Sequence, residues 1–270
     1  MYISFNGDLI KSHEACVYPA SEALVYGFGL FETLKIHRGK IFFMDEHFKR
    51  LKNGCKELNI PLEHDLYQTK KSCANLLKAN DMVFGTLKIL YTKNRDKYDL
   101  LLFTRENTYT DEKYKKGFRV CFADTKKNPY AKLTFVKSNN YLENVLEKQK
   151  AADKGYDEAI FLNVSNKLSE GTCTNIFFTK NNVICTPDIL CGILPGIMRE
   201  KIIDLVYKLD LNLKIGIFQK EDILDADEVF LTNSLMDIMP VSQFENKEFD
   251  LNTNKLTQLL RNCFYELYYQ

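Results

Sequence analysis

Strand-type and helix-type patterns occur in runs along this chain and do not alternate strictly. That ordering constrains the fold more than any other feature, because a doubly wound parallel sheet needs a helix after nearly every strand. Tyr2-Ile3-Ser4-Phe5, the turn Asn6-Gly7-Asp8 and Leu9-Ile10 read as strand, hairpin and strand. Gly27-Phe28-Gly29 feeds an alternating run from Leu30 to Ile36, His37-Arg38-Gly39-Lys40 turns, and Ile41-Phe42-Phe43 returns. Phe48, Leu51, Cys55 and Leu58 fall at helical spacing, which predicts an amphipathic helix over 45–58 with Asp45 as its cap. A second helix is predicted over 66–78, then strands over 86–92 and 100–104 about the charged turn Asn94-Arg95-Asp96-Lys97. The polar stretch from Asn107 to Lys116 reads as a linker. Beyond it come strands over 118–122, 159–162, 175–178, 183–186 and 228–231, a helix entered at Ile197 and a terminal helix over 251–267. The pattern predicts an α+β chain of two domains, 1–112 and 113–270.

At 270 residues, with 45% hydrophobic and 27% charged residues, the chain has ample material for a packed core. Lys+Arg 37 against Asp+Glu 36 gives a net charge of +1, so bulk charge offers nothing to nucleic acid. No apolar run approaches the ~20 residues of a membrane span, and the first residues lack the basic-then-apolar pattern of a secretion signal. The eight cysteines are scattered with no Cys-x-x-Cys and read as reduced thiols of a cytoplasmic protein. His13, His37, His47 and His64 form no paired spacing, so no zinc site is expected.

Several residues could carry chemistry. Lys137 follows the apolar run Leu133-Thr134-Phe135-Val136 and precedes a predicted helix whose Tyr141, Leu142, Val145, Leu146 and Ala151-Ala152 recur at helical spacing and are expected to face inward. Ser138 or Asn139 could cap that helix. From position alone Lys137 is either a solvated lysine or an amine made nucleophilic by partial desolvation. Pro195-Gly196-Ile197-Met198 is either an ordinary helix start or one whose free backbone N–H groups meet a phosphate. Arg50 is a snorkelling arginine or the bidentate half of a phosphate grip. Glu170 is a loop carboxylate or the partner of a ring nitrogen, and Thr232-Asn233-Ser234 either caps the next segment or offers donors. Gly27-Phe28-Gly29 lacks the third glycine of a dinucleotide fingerprint and leads into a strand.

Taken in order, these blocks resemble the fold-type IV pyridoxal-phosphate enzymes, the class IV aminotransferase family. The carriers are Tyr26-Gly27-x-Gly29-Leu30-Phe31-Glu32-Thr33, His47-x-x-Arg50-Leu51, Lys137 with its helix, and Gly155-Tyr156-Asp157-Glu158-Ala159. Ser169-Glu170, Thr174-Asn175-Ile176-Phe177, Gly196-Ile197-Met198-Arg199, Asn233-Ser234-Leu235-Met236 and Pro240-Val241 continue the series to cover nearly the whole chain. The resemblance implies a two-lobed α+β architecture like that of D-amino acid aminotransferase, with the Schiff-base lysine in the second domain. It implies pyridoxal 5′-phosphate as cofactor, a small-molecule amino substrate and a homodimer. Lys137 resembles the Schiff-base lysine, Arg50 the phosphate arginine, and Ile197 and Met198 the residues whose backbone N–H groups meet the same phosphate. Glu170 matches the acid at the pyridine nitrogen, Leu194 the residue on the ring, and Tyr141 a partner for the ring hydroxyl, while Asn233 and Ser234 fall in the loop that binds phosphate or substrate. Thr33 stands where the family's lyases carry threonine. Gly196-Ile197-Met198-Arg199 and Asn233-Ser234-Leu235-Met236 look closest to aminodeoxychorismate lyase, with a branched-chain or D-amino acid aminotransferase as the alternative. Ser21-Glu22, Lys35 and Thr92-Lys93-Asn94 depart from the family's pattern in segments associated with substrate carboxylates.

Overall fold

The computed structural model describes residues 1–270. The chain divides into two compact units, one of Met1–Thr108 with Val136–Tyr141, the other of Tyr109–Phe135 with Leu142–Gln270.

In chain order the first unit contains β1 (Tyr2–Phe5), β2 (Asp8–Lys11), α1 (Glu22–Tyr26), β3 (Gly29–His37), β4 (Lys40–Ile41), α2 (Met44–Glu57), α3 (Leu66–Ala79), β5 (Gly85–Asn94) and β6 (Lys97–Arg105). Its six strands form a sheet in the order β2-β1-β6-β5-β3-β4, and every pairing is antiparallel. The strand period of two decides what this sheet does. Leu30, Leu34 and Ile36 of β3 join Leu87, Ile89, Tyr91, Leu100 and Leu102 in a core closed by Phe48, Leu51 and Cys55 of α2 and Cys73, Leu76 and Leu77 of α3. Phe31, Thr33 and Lys35 alternate with them and take the opposite face. The α2 stripe forms as expected, but Asp45 does not cap it. Phe43 holds the N-cap position without a side-chain hydrogen bond, and Asp45 pairs instead with Lys70 at 2.8 Å.

The second unit runs α4 (Asp111–Lys116), β7 (Phe118–Lys127), α5 (Leu142–Asp153), β8 (Glu158–Asn163), β9 (Leu168–Gly171), β10 (Asn175–Lys180), β11 (Val183–Pro187), α6 (Ile197–Lys208), β12 (Leu213–Gly216), α7 (Lys220–Leu224), β13 (Glu228–Asn233), β14 (Asp237–Phe244), β15 (Lys247–Glu248) and α8 (Lys255–Tyr269). Its sheet has the order β12-β11-β10-β13-β14-β7-β8-β9, with β15 on β14. Parallel pairs (β11 with β12, β14 with β7, β7 with β8) sit among antiparallel ones, the mixture expected of an α+β chain. The expected linker carries α4 over its second half.

Two expectations about Lys137 are corrected. A boundary at 112/113 puts the lysine in the second domain, yet Val136–Tyr141 packs with the first unit. Backbone bonds hold it there, Phe31 N donating to Lys137 O and Asn139 N to Gly29 O, both at 2.9 Å, about a bridge between Leu30 and Ser138. The lysine therefore stands in an irregular segment ahead of its helix. Its helix begins only at Leu142, so Ser138 and Asn139 serve that bridge and not a cap.

The face of α5 departs from the prediction in its first turns, while Ala151 is buried as expected. Leu142, Val145 and Leu146 are 69%, 52% and 50% exposed, and the buried positions are Asn144, Glu147 and Ala151. The polar pair goes inward because each finds partners there. Asn144 accepts from Lys127 Nζ at 3.0 Å and donates to Thr172 O at 2.7 Å, and Glu147 accepts from Asp124 N at 2.8 Å and Lys150 Nζ at 2.7 Å. A buried polar group that is fully hydrogen-bonded costs little.

Candidate active site

In the first unit the segment bearing Lys137 lies along the start of β3. Gly29 permits this approach, since a Cβ there would stand 2.5 Å from Asn139 Nδ2 and 2.7 Å from Tyr91 O. Half-buried Lys137 places Nζ 4.5 Å from the centre of the Phe31 ring and 5.4 Å from that of Tyr141. Tyr141 meets Phe31 edge-on at 5.3 Å.

Glu32 points into the core side of β3, and α2 answers it one turn apart. Arg50 donates from Nε to Oε1 at 2.8 Å and from Nη2 to Oε2 at 2.6 Å, and His47 Nδ1 lies 2.6 Å from Oε2. Burial alone would raise the Glu32 carboxyl, but the Arg50 cation and its hydrogen bonds, with His47, hold it down to about 2. An ionised carboxylate accepts only, so His47 is the Nδ1–H donor. Burial presses its basicity below the usual imidazole range against the pull of Glu32. Its Nε2 is buried without a hydrogen-bond partner.

On the opposite face of the sheet Thr33 pairs in register with Lys88. Lys88 Nζ lies 4.1 Å from the centre of the Phe31 ring, so Phe31 has both lysine amines beside it. Burial, and then the nearby Arg105 cation, lower the basicity of Lys88. No carboxylate pairs with it. The motif reading passed over Lys88, and only its place opposite Thr33 in an alternating strand could have marked it.

In the second unit Glu170, on β9, is 7% exposed. Its Oε2 accepts from Leu194 N at 2.9 Å and from Asn175 Nδ2 at 3.4 Å, and the same amide donates to Leu194 O at 3.2 Å. The residues expected to face a ring nitrogen and a ring are thus tied to each other directly. Gly196 caps α6 without a side chain, and a Cβ there would stand 1.8 Å from Asn175 Oδ1, so only glycine fits. Ile197 and Met198, the next two residues, are buried. An N-terminus without a side-chain cap leaves backbone N–H groups for an anion. Thr232 pairs in register with Asn175, and its Oγ1 is buried with no partner.

Asn233 donates to Tyr109 Oη at 3.2 Å and Cys173 O at 3.3 Å, while its Oδ1 accepts from Leu235 N and Met236 N at 2.9 Å. Its amide is spent on the turn between β13 and β14, where Ser234 sits half-buried. Within the first unit, then, Lys137 and Tyr141 meet at Phe31 and Arg50 is held by Glu32. Within the second, Glu170 and Leu194 meet beside the start of α6. Glu32, His47 and Asn175 stand in the sequence only as carriers of the resemblance, without roles, and Lys88 does not stand out at all, although an acid on the apolar face of β3 demands partners.

The profile of the family described as amino-transferase class IV matches residues 29–244. The aminodeoxychorismate lyase of Bacillus subtilis is 28% identical over 271 residues, covering 96% of this chain and 92% of the lyase. The D-alanine aminotransferase of Bacillus licheniformis is 29% identical over 257 residues, covering 92% and 89%. Among solved structures, the branched-chain amino acid aminotransferase of Escherichia coli superposes with a TM-score of 0.93 at 25% identity, covering 99% of this chain and 94% of that one.

Proposed function

The chain belongs to the class IV aminotransferase family, and on that premise we propose that it is a 4-amino-4-deoxychorismate lyase, releasing 4-aminobenzoate and pyruvate for folate synthesis in the cytoplasm as a homodimer. It is an enzyme of fold type IV, and its cofactor is pyridoxal 5′-phosphate.

The residues present fit that group. The start of α6 has no side-chain cap to occupy its backbone N–H groups, a Cβ at Gly196 would strike the Asn175 amide beside it, and the Thr232 hydroxyl is buried without a partner. In the second unit the N–H groups of Ile197 and Met198, with Ser234, would take the phosphate. Glu170 would face the ring nitrogen, Leu194 would pack on the ring, and Asn233 would hold the turn that presents Ser234. In the first unit Lys137 would carry the cofactor between turnovers, Tyr141 would meet the ring hydroxyl, and Arg50 would reach the phosphate from its anchor on Glu32.

The bound cofactor supplies an electron sink that acidifies the Cα–H of an amine joined to it. Lys137 Nζ is the base that takes this proton, with the Phe31 ring limiting its approach. Thr33 lies on the same face and can pass its hydroxyl proton to the departing enolpyruvyl group. Glu170, directed by its donors, would favour protonation of the ring nitrogen.

The observation that carries the choice of substrate is Lys88. A half-buried cation with no acid partner, pressed by Arg105 and set opposite Thr33, is suited to a substrate bearing carboxylates apart from its amine. Aminodeoxychorismate has two such groups. The D-alanine aminotransferase relative supports transamination as the second reading. The test offers purified enzyme aminodeoxychorismate in one assay, and amino donors with 2-oxo acids in another. Formation of 4-aminobenzoate and pyruvate is expected; a new amino acid with no aminobenzoate would replace the lyase by an aminotransferase.

A further inference from the structure

Lys127, the last residue of β7, is a lysine only 9% exposed. Its Nζ donates to Asn144 Oδ1 at 3.0 Å, rests 4.5 Å from the centre of the Phe161 ring and stands 4.0 Å from Glu170 Oε1. Phe161 is fully buried. Asn144 is buried as well, and its amide donates to Thr172 O in the turn that follows Glu170. Burying an ammonium is expensive unless an anion and hydrogen bonds offset it. A tether to Asn144 alone would need no charge, because a neutral amide could make it.

We propose that Lys127 is a positioning residue for Glu170, its charge holding that carboxylate as an anion and its bond to Asn144 fixing the spacing between them. The neighbours of Glu170 divide the work. Leu194 N and the Asn175 amide, from β10, both donate to Oε2. Lys127, from β7, stands on the Oε1 side, with Asn144 of α5 behind it. The neutral donors set the direction of the carboxylate, and the cation sets its protonation. An opposite charge within about 4–6 Å lowers a carboxyl group's titration midpoint by roughly 1–3 pH units. Because the ammonium is walled by an aromatic ring, water does little to screen it. The proposal rests on the reading that Glu170 faces the ring nitrogen, since only there does an ionised acid matter to the reaction.

The experiment compares Lys127→Met, which removes charge and hydrogen bond, with Lys127→Gln, which removes the charge and can keep a bond to Asn144, and Lys127→Arg, which keeps the charge. Carbon-13 NMR of glutamate-labelled full-length protein, with and without added pyridoxal phosphate, follows the Glu170 carboxyl, assigned by its loss in Glu170→Gln. In Lys127→Met and Lys127→Gln the Glu170 midpoint is expected to rise by about one pH unit or more, a tenfold gain in proton affinity. Lys127→Arg should restore it. The pH midpoint of the bound cofactor's absorbance should move in the two neutral variants. A purely structural lysine would lower the thermal midpoint and leave the carboxyl midpoint unmoved, and that result overturns the proposal even if Lys127→Met fails to fold, because Lys127→Gln reports the charge separately. If the carboxyl midpoint shifts while Glu170→Gln leaves the cofactor spectrum like the parent's, the coupling stands and the placement of Glu170 at the ring nitrogen falls.

Discussion

Glu32 and Glu170 are both buried carboxylates, one in each unit, and they are held in opposite ways. Glu32 is gripped on both oxygens by a guanidinium, with an imidazole on Oε2. Glu170 receives a backbone N–H and an amide on one oxygen, with an ammonium 4.0 Å from the other. The first arrangement locks an arginine between a strand and a helix. The second leaves an anion directed by neutral groups, with room for its charge to be used. The comparison teaches that a buried glutamate can be saturated by cations, as Glu32 is, or directed by neutral donors with one cation at a distance, as Glu170 is.

The largest effect that could break this contrast is on stability. Glu32→Leu leaves the Arg50 and His47 side chains facing an apolar group, and removing one partner of a buried ion pair costs roughly 3–5 kcal/mol. The thermal midpoint should fall on the order of 10 °C for a protein of this size. A change within a degree or two would show that Arg50 does not depend on Glu32.

Acid comes next. The Glu32 carboxyl is depressed from 4.5 to about 2 in the folded chain, so its contribution is present above pH 4.5 and is lost as pH falls from there through 2. That contribution is on the order of 3 kcal/mol. His47, held below its ordinary 6.5, acts with the same sign, because the unfolded chain binds the imidazole proton first and stability declines as pH drops below 6.5. Unfolding followed from pH 7 to pH 2 should show loss beginning below 6.5 and steepening under 4.5. In Glu32→Gln the lower step should vanish.

The smallest expected stability change belongs to Glu170→Gln. Its side-chain oxygen still accepts from Leu194 N, so the folded state should shift by about 1 kcal/mol or less. If Glu170 faces the ring nitrogen as proposed, turnover should nevertheless fall at least tenfold, because that nitrogen would lose its anion. A variant that unfolds easily but turns over normally would make Glu170 a second Glu32.

The sequence patterns disclosed the stripe of α2 and the sheet strands, because Phe48, Leu51 and Cys55 are apolar residues that go where apolar residues go. They placed Ala151 of α5 inside but misplaced its first turns, since helical spacing is shared by Leu142-Val145-Leu146 and by Asn144-Glu147, and only the partners waiting in the unit decide which set turns inward. Glu170, Leu194 and the glycine start of α6 were legible as motif positions, and the fold brings them together. Lys127 was not, because one lysine beside Lys126 has no pattern of its own, and its burial depends on Asn144 and Phe161 arriving from distant parts of the chain.

Val136–Tyr141 gives the first unit a history as well as a shape. Val136 belongs to its core, and the bonds from Phe31 N to Lys137 O and from Asn139 N to Gly29 O close along β3. A nascent chain that has emerged through Thr108 holds every strand of that sheet but not this segment, and residues 109–135 must emerge first. At roughly 5–20 residues per second, the wait is on the order of seconds. Through that interval the early part of β3 is an open edge, available to another chain. Lys137 thus belongs to the last piece of its unit to be laid down, and a chain interrupted before it would carry a nearly finished scaffold without that amine.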